Sequence, residues 1–200
     1  MGRKSIEKIR KRPTPKVNAW LATLLIDIQD ADLGMLTMDD LVRISGKSKS
    51  TFYTYFERKE DVLLAACQTR IYAILYDLGK VEFGTDDVSI TYKQLIEIFA
   101  NGTSGIRLSF LQSIRKYYES IWGEIEVLTD TYVDMLSSLY SRGISLGLYR
   151  DFSVELLTTM DKLFVIEIVT NSALFTDEKY SVSDLVRDYL NLRLDGLLKA

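Results

Sequence analysis

Histidine is absent from the 200 residues of the chain, and Cys67 is its only cysteine. A Ser-His or Cys-His catalytic pair, a histidine zinc site and an intramolecular disulfide are therefore excluded. One thiol gives no disulfide framework, so we expect a reducing compartment. No phosphate-cradling glycine-rich loop or metal-ligand spacing occurs, and acid pairs such as Glu124 and Glu126 resemble ordinary surface charge. We therefore expect no enzymatic activity, no cofactor and no metal site.

Long apolar runs are also lacking. No stretch of about 18 uncharged apolar residues occurs, which excludes a membrane-spanning helix. The basic residues at the N-terminus precede an apolar patch that Asp27 interrupts, whereas a signal peptide needs a longer clean apolar region. These patterns predict a cytoplasmic protein that does not associate with a membrane.

Proline is scarce, because Pro13 and Pro15 are the only two in the chain. No proline downstream of them interrupts a helix. Strict alternation of apolar and polar residues, the pattern of a strand, is rare. Hydrophobic residues make up 47% of the chain and charged residues 26%, a globular composition. Apolar residues at helical spacing predict an all-α fold, with helices at 15–30, between Thr37 and Gly46, and at 49–56, 59–78, 88–100, 106–118, 122–144, 153–174 and 182–198.

Basic residues are concentrated near the N-terminus. Residues 1–59 carry 12 lysines and arginines against 7 acids, a net charge of +5, whereas residues 60–200 carry 13 against 21, a net charge of −8. Seven of the basic residues lie within the first 16 positions. A basic segment on an acidic body predicts a polyanionic partner for that segment, with a solvated basic tail as the alternative.

The last two predicted helices are apolar on more than one face. Residues 163–166, 168 and 169 are all apolar, and the final helix carries two adjacent apolar stripes. One stripe comprises Leu185, Tyr189 and Leu192, and the other comprises Val186, Leu190, Leu194 and Leu197. Because a helix that is apolar on two sides buries both, we predict a homodimer in which these helices form a four-helix bundle. Complete burial within a monomer is the alternative.

A helix-turn-helix pattern occupies residues 37–59, which read TMDDLVRISGKSKSTFYTYFERK. Thr37 is typical of a helix N-cap, with Asp40 at the capping-box position, and Gly46 is typical of a helix end. Ser48 then caps a second short helix with a polar exposed face. In such a motif the second helix enters the major groove of double-stranded DNA.

Residues 37–63 resemble the DNA-binding signature of the TetR family of bacterial transcriptional regulators. The residues that carry the resemblance are Thr37, Leu41, Gly46, Ser48, Lys49, Thr51, Phe52, Tyr53, Tyr55, Phe56, Lys59, Glu60 and Leu63. The likeness extends more loosely to the length of the chain. The sequence GISLGLYR at 143–150 is similar to the glycine-containing turn that such proteins carry before their last two helices.

The resemblance implies a division of the chain into two domains. A basic arm and helix-turn-helix at residues 1–60 would bind an operator, and a helical domain at residues 61–200 would bind a small-molecule effector and form the dimer. The implied function is a ligand-responsive regulator, most simply a repressor that a small apolar or aromatic molecule releases from DNA. The ligand would favour a conformer whose recognition helices no longer match adjacent major-groove turns.

Individual roles at the DNA follow from the resemblance and from groove chemistry. In the family the tyrosine at Tyr53 contacts a phosphate, while Phe52 and Phe56 are predicted to pack inward. Lys49 is placed to donate to guanine, and Lys59 to face a phosphate at a helix N-terminus. The DNA-binding candidates are Thr37, Lys47, Ser48, Lys49, Ser50, Thr51, Tyr53, Thr54 and Lys59.

Two residues depart from the family pattern in a way that affects function. Lys47 replaces a small apolar residue, so its charge reaches DNA or the two short helices pack differently. Asp39 replaces a common basic residue, and an acid there is expected to weaken binding. The basic arm can offset Asp39 by lying along the DNA backbone or in the minor groove. The alternative function is a ligand-binding or protein-interaction module that has lost sequence-specific DNA binding.

Aromatic residues at helical spacing are the candidates for an effector cavity in the C-terminal domain. The helix that begins at Lys59 is expected to meet DNA at its start and to line the cavity further along. The ligand-binding candidates are Tyr72, Tyr76, Phe99, Phe110, Tyr118, Trp122, Tyr132 and Phe164.

Overall fold

A computed structural model describes residues 10–83, 87–168, 171 and 181–198 of the chain. These residues form α-helices and one short π-helix, and only isolated β-bridges occur among them. The predicted all-α fold is confirmed. The helices are α1 (Pro15–Asp27), α2 (Met38–Ser45), α3 (Lys49–Tyr55), α4 (Lys59–Leu78), α5 (Val88–Gly102), α6 (Leu108–Tyr117), α7 (Glu119–Ser145), α8 (Val154–Leu163), the π-helix (Phe164–Ile168) and α9 (Val182–Leu197).

Local capping sets the ends of the two short helices. The Thr37 hydroxyl accepts from the Asp40 amide, and the Asp40 carboxylate accepts from the Thr37 amide, so the predicted capping box is present. Gly46 ends α2 with a φ of 63°, a left-handed conformation that favours glycine. Ser48 caps α3 by accepting from the Thr51 amide at 3.2 Å.

An aromatic cluster holds α3 against α1. The ring of Trp20 lies 5.1 Å from Phe52 and 6.2 Å from Phe56, measured between centroids. Both phenylalanines are buried, as predicted. Each such ring pair contributes about 0.5–1.5 kcal/mol beyond its buried area. The cluster therefore fixes α3 by its apolar face and leaves the opposite face outward.

The long helix α4 links the two halves of the molecule. It packs against α1 near its start and against α5 and α7 further along, while α5 pairs with α9 and α7 with α8. The buried apolar residues of α1, α4, α5, α7 and α9 belong to one continuous core, against which partly buried residues of α8 pack. Packed side chains therefore connect the C-terminal helices to α1 without interruption, so a displacement of these helices acts on packed side chains up to α1.

The predicted helix at 153–174 differs from the observed structure. After α8 the chain continues as the π-helix, and residues 169, 170 and 172–174 lie outside the described residues. The Ile166 carbonyl accepts a hydrogen bond from the Arg115 guanidinium of α6 at 3.0 Å. Glu167 pairs with the same guanidinium at 2.9 Å. A partner from another helix thus supports the widened turn.

The turn before α8 depends on a close approach. At Gly143, within α7, an added Cβ would lie 2.1 Å from the ring of Tyr149. Tyr149 is fully buried on that glycine, and Gly147 reverses the chain with a φ of 70°. The glycine-containing turn expected from residues 143–150 is present, although α7 continues past Gly143 to Ser145.

Candidate nucleic-acid interface and internal cavity

The start of α3 presents a group of exposed polar side chains. Ser48 Oγ lies 2.9 Å from both Ser50 Oγ and Thr51 Oγ1, which forms a small hydroxyl cluster at the helix N-terminus. Lys47 and Tyr53 are exposed beside it. Hydroxyls, an ammonium group and free helix N–H groups are the donors that phosphates and base edges accept.

Asp39 and Lys49 form an ion pair across the two short helices. The Lys49 ammonium lies 2.8 Å from the Asp39 carboxylate, and about two-thirds of each side chain is exposed. The hydrogen bond that Lys49 donates to Asp39 raises the pKa of Lys49, so the ammonium stays charged. Asp39, the acid that departs from the family pattern, therefore pairs with Lys49, the lysine that is predicted to contact guanine.

Three other predicted DNA-binding residues are bonded within the protein. The Thr37 hydroxyl donates to Asp40 at 2.6 Å, and the Thr54 hydroxyl donates to the Ser50 carbonyl at 2.7 Å. The Lys59 ammonium donates to the Leu36 carbonyl at 2.8 Å, which ties the start of α4 to the loop before α2. These groups position the motif in the free protein, and a direct DNA contact by any of them requires an exchange of partners.

The chain before α1 passes the C-terminal end of α3. The Lys11 amide donates to the Thr54 carbonyl at 3.0 Å, and the Arg10 guanidinium donates to the Tyr53 carbonyl. These bonds satisfy carbonyls that the end of a helix leaves unpaired. The rest of the predicted basic arm, residues 1–9, lies outside the described part of the chain.

A cavity of about 80 Å³ lies between α4, α5, α6, α7 and the π-helix. Its lining is almost wholly apolar, and the hydroxyls of Thr103 and Thr129 donate to carbonyls of their own helices. Cys67 is on the wall, where burial raises the pKa of its thiol to about 12 and keeps it neutral. The lining comprises Leu25, Cys67, Arg70, Ile71, Ile74, Phe99, Gly102, Thr103, Ile106, Phe110, Leu111, Trp122, Ile125, Leu128, Thr129, Val165, Ile166, Val182 and Val186.

A smaller cavity of about 10 Å³, here called the annex, lies beside the first. Phe99, Val165 and Val186 line both cavities, so the two share a wall. Tyr132 and Asp161 also line the annex. Tyr132 is 2% exposed, and its hydroxyl has no hydrogen-bond partner among the described residues.

The predicted ligand-binding aromatics divide into three groups. Phe99, Phe110 and Trp122 line the main cavity, and Tyr132 and Phe164 line the annex. Tyr72 and Tyr76 line neither cavity and are 54% and 69% exposed on the outer face of α4. Tyr118 is buried but also lines neither cavity.

Both ends of α6 are bonded to the segment that follows α1. Before α6, the Arg107 amide donates to the buried Gln29 side chain at 2.9 Å, and the Arg107 guanidinium pairs with Asp30 at 2.6 Å. After α6, the Tyr118 hydroxyl donates to the Leu33 carbonyl at 2.8 Å. Since Phe110 and Leu111 lie on the cavity wall, one short helix contacts both the cavity and the N-terminal helices.

The helix pair α8 and α9 encloses a buried carboxylate that the sequence did not single out. Asp161 is 1% exposed and accepts from the hydroxyls of Tyr140 at 2.7 Å and Tyr189 at 2.6 Å. Arg193 lies 3.3 Å from the same carboxylate and supplies the opposite charge. Burial is the main cause that raises the pKa of both tyrosines, so their hydroxyls stay protonated and donate.

The outer face of the same helix pair is apolar. The exposed residues are Leu156, Met160, Leu163 and Leu192, which we call the apolar face. In α9 the predicted stripe of Val186, Leu190, Leu194 and Leu197 is buried, whereas Leu192 of the other stripe is 74% exposed. Large exposed apolar surfaces on soluble domains mark contact sites.

Among the described residues, no group of three or more acids or cysteines is placed to hold a metal ion. Within the same ranges, no helix combines the length and the hydropathy needed to cross a bilayer.

Solved structures share this fold over nearly their whole length. A TetR transcription regulator from Haloarcula marismortui is 18% identical, over 91% of this chain and 98% of its own, with a TM-score of 0.67. The ketosteroid regulator KstR2 of Mycobacterium tuberculosis is 14% identical, over 96% and 100%, with a TM-score of 0.66. The regulator FadR from Bacillus subtilis, solved with stearoyl-CoA, is 18% identical, over 90% and 98%, with a TM-score of 0.60. No protein-family model and no curated protein matches the sequence.

The fold and the exposed start of α3 define a helical protein with an N-terminal helix-turn-helix. More narrowly, the chain has the fold of the TetR family of transcriptional regulators, which confirms at the level of the fold the resemblance carried by residues 37–63.

Proposed function

We propose that the protein is a ligand-responsive transcriptional regulator that binds duplex DNA as a homodimer, most simply as a repressor. The observation that carries the proposal is the exposed N-terminal end of α3, where Ser48, Lys49 and Ser50 stand clear of the core that Phe52 anchors. An α-helix presented in this way fits the major groove, with its first residues toward the base edges. The full-length fold of known regulators supports the same function.

The domains are proposed as the sequence divides them. Residues 1–60 would bind DNA, with the basic arm adding phosphate contacts, and residues 61–200 would hold the effector and the dimer contact. Because α4 crosses the boundary and lines the cavity through Cys67, Ile71 and Ile74, it belongs mechanically to both domains.

Effector binding would act through the size of the cavity. Ligand pockets usually measure roughly 300–1,000 Å³, and this cavity measures about 80 Å³. A ligand must therefore displace walls formed by α4 and α6. The bonds of Arg107 and Tyr118 to the segment after α1 would carry that displacement to the helix-turn-helix. A ligand that favours the displaced arrangement lowers DNA affinity by its preference for that state.

The apolar face of α8 and α9 is proposed as the dimer contact. Leu156, Met160 and Leu163 follow helical spacing on α8, and Leu192 extends the face onto α9. Two copies related by a twofold axis would bury the same face on each subunit. Such a pair would present two copies of α3 to one duplex.

A gel-shift experiment on the gene's own upstream region tests the proposed function. We expect wild-type protein to retain the duplex and Tyr53→Ala to weaken retention at least about tenfold, since a hydrogen bond to a charged group such as a phosphate is worth roughly 1.5–3 kcal/mol. Tyr76→Ala is the matched control, because Tyr76 is also an exposed tyrosine but lies on α4 away from the motif.

The rival function is a ligand-binding or protein-interaction module without DNA recognition. It predicts that Tyr53→Ala and Tyr76→Ala behave alike and that the protein ignores duplex DNA at low salt. Either result would contradict the proposed function.

A further inference from the structure

Helix α2 carries two acids, and one of them keeps the capacity to accept further hydrogen bonds. Asp40 is occupied, because it accepts from the amide and hydroxyl of Thr37 and from the Arg43 guanidinium. Among the described residues, Asp39 accepts only from the Lys49 ammonium, and 65% of its side chain is exposed. A carboxylate offers about four acceptor sites, so Asp39 can still accept from a partner outside the chain.

Asp39 and Lys49 together place an acceptor beside a donor on the outside of the two short helices. Lys49 Nζ lies 2.8 Å from Asp39 Oδ2, and the lysine side chain is 61% exposed. The ammonium group has three donors, so two remain while one is bonded to Asp39. An exposed ion pair adds little to the stability of a fold, and an acid weakens the attraction to phosphates. Neither stability nor general attraction to DNA therefore accounts for Asp39.

The G·C base pair presents the complementary pattern in the major groove. Guanine offers two acceptors, N7 and O6, and cytosine offers a donor, its N4 amino group. Guanine O6 and cytosine N4 are bonded to each other at the usual N–H···O distance of about 2.9 Å, and the distance from Lys49 Nζ to Asp39 Oδ2 is nearly the same, 2.8 Å. An A·T pair in the same orientation turns a donor, adenine N6, to the lysine and an acceptor, thymine O4, to the carboxylate. Both contacts are then repulsive.

The other exposed polar groups beside the pair discriminate less between bases. Ser48 and Ser50 are exposed, but a hydroxyl both donates and accepts, so it tolerates either kind of base edge. Asp39 only accepts, and a wrong base places two acceptors against each other without a proton between them. Selectivity of this kind comes from the repulsion of the wrong partner as well as from the attraction of the right one.

We infer from this geometry that Asp39 determines sequence specificity: its carboxylate accepts from the N4 amino group of a cytosine, while Lys49 donates to the guanine paired with that cytosine. The inference rests on the proposed function, because it takes the start of α3 as the part that enters the major groove. It adds a base-reading residue on α2 and a G·C pair in each half-site of the operator. An acid at this position lowers the general attraction to phosphates and raises the discrimination between bases.

The test blocks the cytosine donor and leaves the guanine unchanged. An operator is first obtained by selection from random duplexes with wild-type protein. Each cytosine of a half-site is then replaced in turn by N4-methylcytosine, whose methyl group takes the place of the N4 proton that faces the groove. Fluorescence anisotropy gives the dissociation constants. At one cytosine per half-site we expect the wild-type affinity to fall at least about tenfold, the loss of a hydrogen bond to a charged group.

Asp39→Ala and Glu57→Ala are compared on the same duplexes. Alanine has no acceptor to lose, so Asp39→Ala should bind the methylated and the unmodified duplex with affinities that agree within about twofold. Glu57→Ala is the matched control, because Glu57 is an exposed acid of the same motif, located after the end of α3. It removes an equal charge and should keep the full wild-type sensitivity to N4-methylcytosine.

Three results would overturn the inference alone. They are a wild type that tolerates N4-methylcytosine at every position, an Asp39→Ala variant as sensitive as the wild type, and a Glu57→Ala variant that loses sensitivity as Asp39→Ala does. The last result would assign the effect to net charge. In each case wild-type protein still selects an operator, so the proposed function stands. A wild type that enriches no duplex would overturn the proposed function and the inference with it.

Discussion

The two ends of the molecule distribute polar and apolar groups in opposite ways. At the helix-turn-helix, polar side chains such as Ser50 and Lys49 are exposed and the aromatic rings are buried. At the α8–α9 pair, Asp161 is 1% exposed while Leu192 is 74% exposed. An exposed polar helix end suits a charged and hydrated partner such as DNA, whereas an apolar face over a bonded polar interior suits a second protein surface. The contrast indicates that the two ends meet different partners.

The largest effect that tests this contrast is expected at the buried carboxylate. Replacement Asp161→Ala leaves Arg193 without its counter-charge and removes the acceptor of Tyr140 and Tyr189. We expect the free energy of unfolding to fall by about 3 kcal/mol, the scale for breaking a buried ion pair. Urea unfolding at a fixed protein concentration measures it.

Glu155→Ala is the control for this prediction, since Glu155 is an exposed acid on the same helix. It should change stability by no more than about 0.5 kcal/mol. If the two variants were equally stable, the polar interior of α8–α9 would not hold these helices together.

A smaller effect is expected where the two ends communicate. Tyr118→Phe removes the hydrogen bond to the Leu33 carbonyl while keeping the ring in place. If an aromatic probe such as 2-naphthol occupies the cavity, the factor by which it weakens DNA binding at saturation should fall about two- to tenfold in this variant, the value of one hydrogen bond in the coupling free energy. Anisotropy titrations of labelled duplex with and without 2-naphthol measure this factor.

Tyr117→Phe supplies the comparison, because the neighbouring tyrosine is half exposed and packs its ring beside Gly34, with no hydrogen bond from its hydroxyl to the α1–α2 segment among the described residues. Equal coupling in the two variants and the wild type would show that α6 does not transmit the effect through Tyr118.

A still smaller effect, an increase in DNA affinity, is expected when the ion pair between Asp39 and Lys49 is broken. Asp39→Asn frees the Lys49 ammonium and removes an acid from the surface proposed to face phosphates. We expect DNA to bind about two- to fivefold more tightly at low salt, with the gain shrinking as salt is added. Asp77→Asn breaks an exposed pair of the same 2.8 Å length, between Asp77 at the end of α4 and Lys80 in the turn that follows it, and should leave DNA affinity unchanged. A weaker complex with Asp39→Asn would mean that the pair orders Lys49 for DNA binding.

The smallest expected effect concerns the capping box and depends on pH. The hydrogen bond from Thr37 is the main cause that lowers the pKa of Asp40 in the folded protein. A carboxyl group whose pKa is lower in the folded protein than in the unfolded chain stabilises the fold at pH values above its unfolded-state pKa. This stabilisation is lost as the pH falls through the folded-state pKa. The stability advantage of wild type over Asp40→Asn should therefore be present at pH 7 and vanish in acid. An advantage that persists at low pH would contradict this origin.

The same contrast explains which parts of the structure the sequence could predict. The motif was predictable because its signals are local: Thr37 bonds to Asp40 and Ser48 to Thr51, three residues apart. The C-terminal half depends on distant partners, since the bond from Tyr118 to Leu33 spans 85 residues. No local pattern contains that information.

Helical spacing also does not show whether a given face of a helix points to the core or to solvent. Tyr72 and Tyr76 share one face of α4 with correct spacing, yet that face is the outer one. The cavity face of α4 carries Cys67, Ile71 and Ile74 instead, a stripe visible in the sequence but without aromatic residues to mark it. Likewise, the tyrosines that donate to Asp161 lie 21 and 28 residues away in the sequence, so its buried role required the fold.

Selection of bound sequences from a pool of random duplexes tests the central claim most directly. If a symmetric dimer presents two copies of α3 to DNA, the enriched duplexes should contain an inverted repeat whose half-site centres lie about one helical turn, roughly 10 base pairs, or a small multiple apart. Tyr53→Ala should lose the enrichment and Tyr76→Ala should keep it. A wild-type protein that enriches no sequence at low salt, or only a single half-site, would contradict the account.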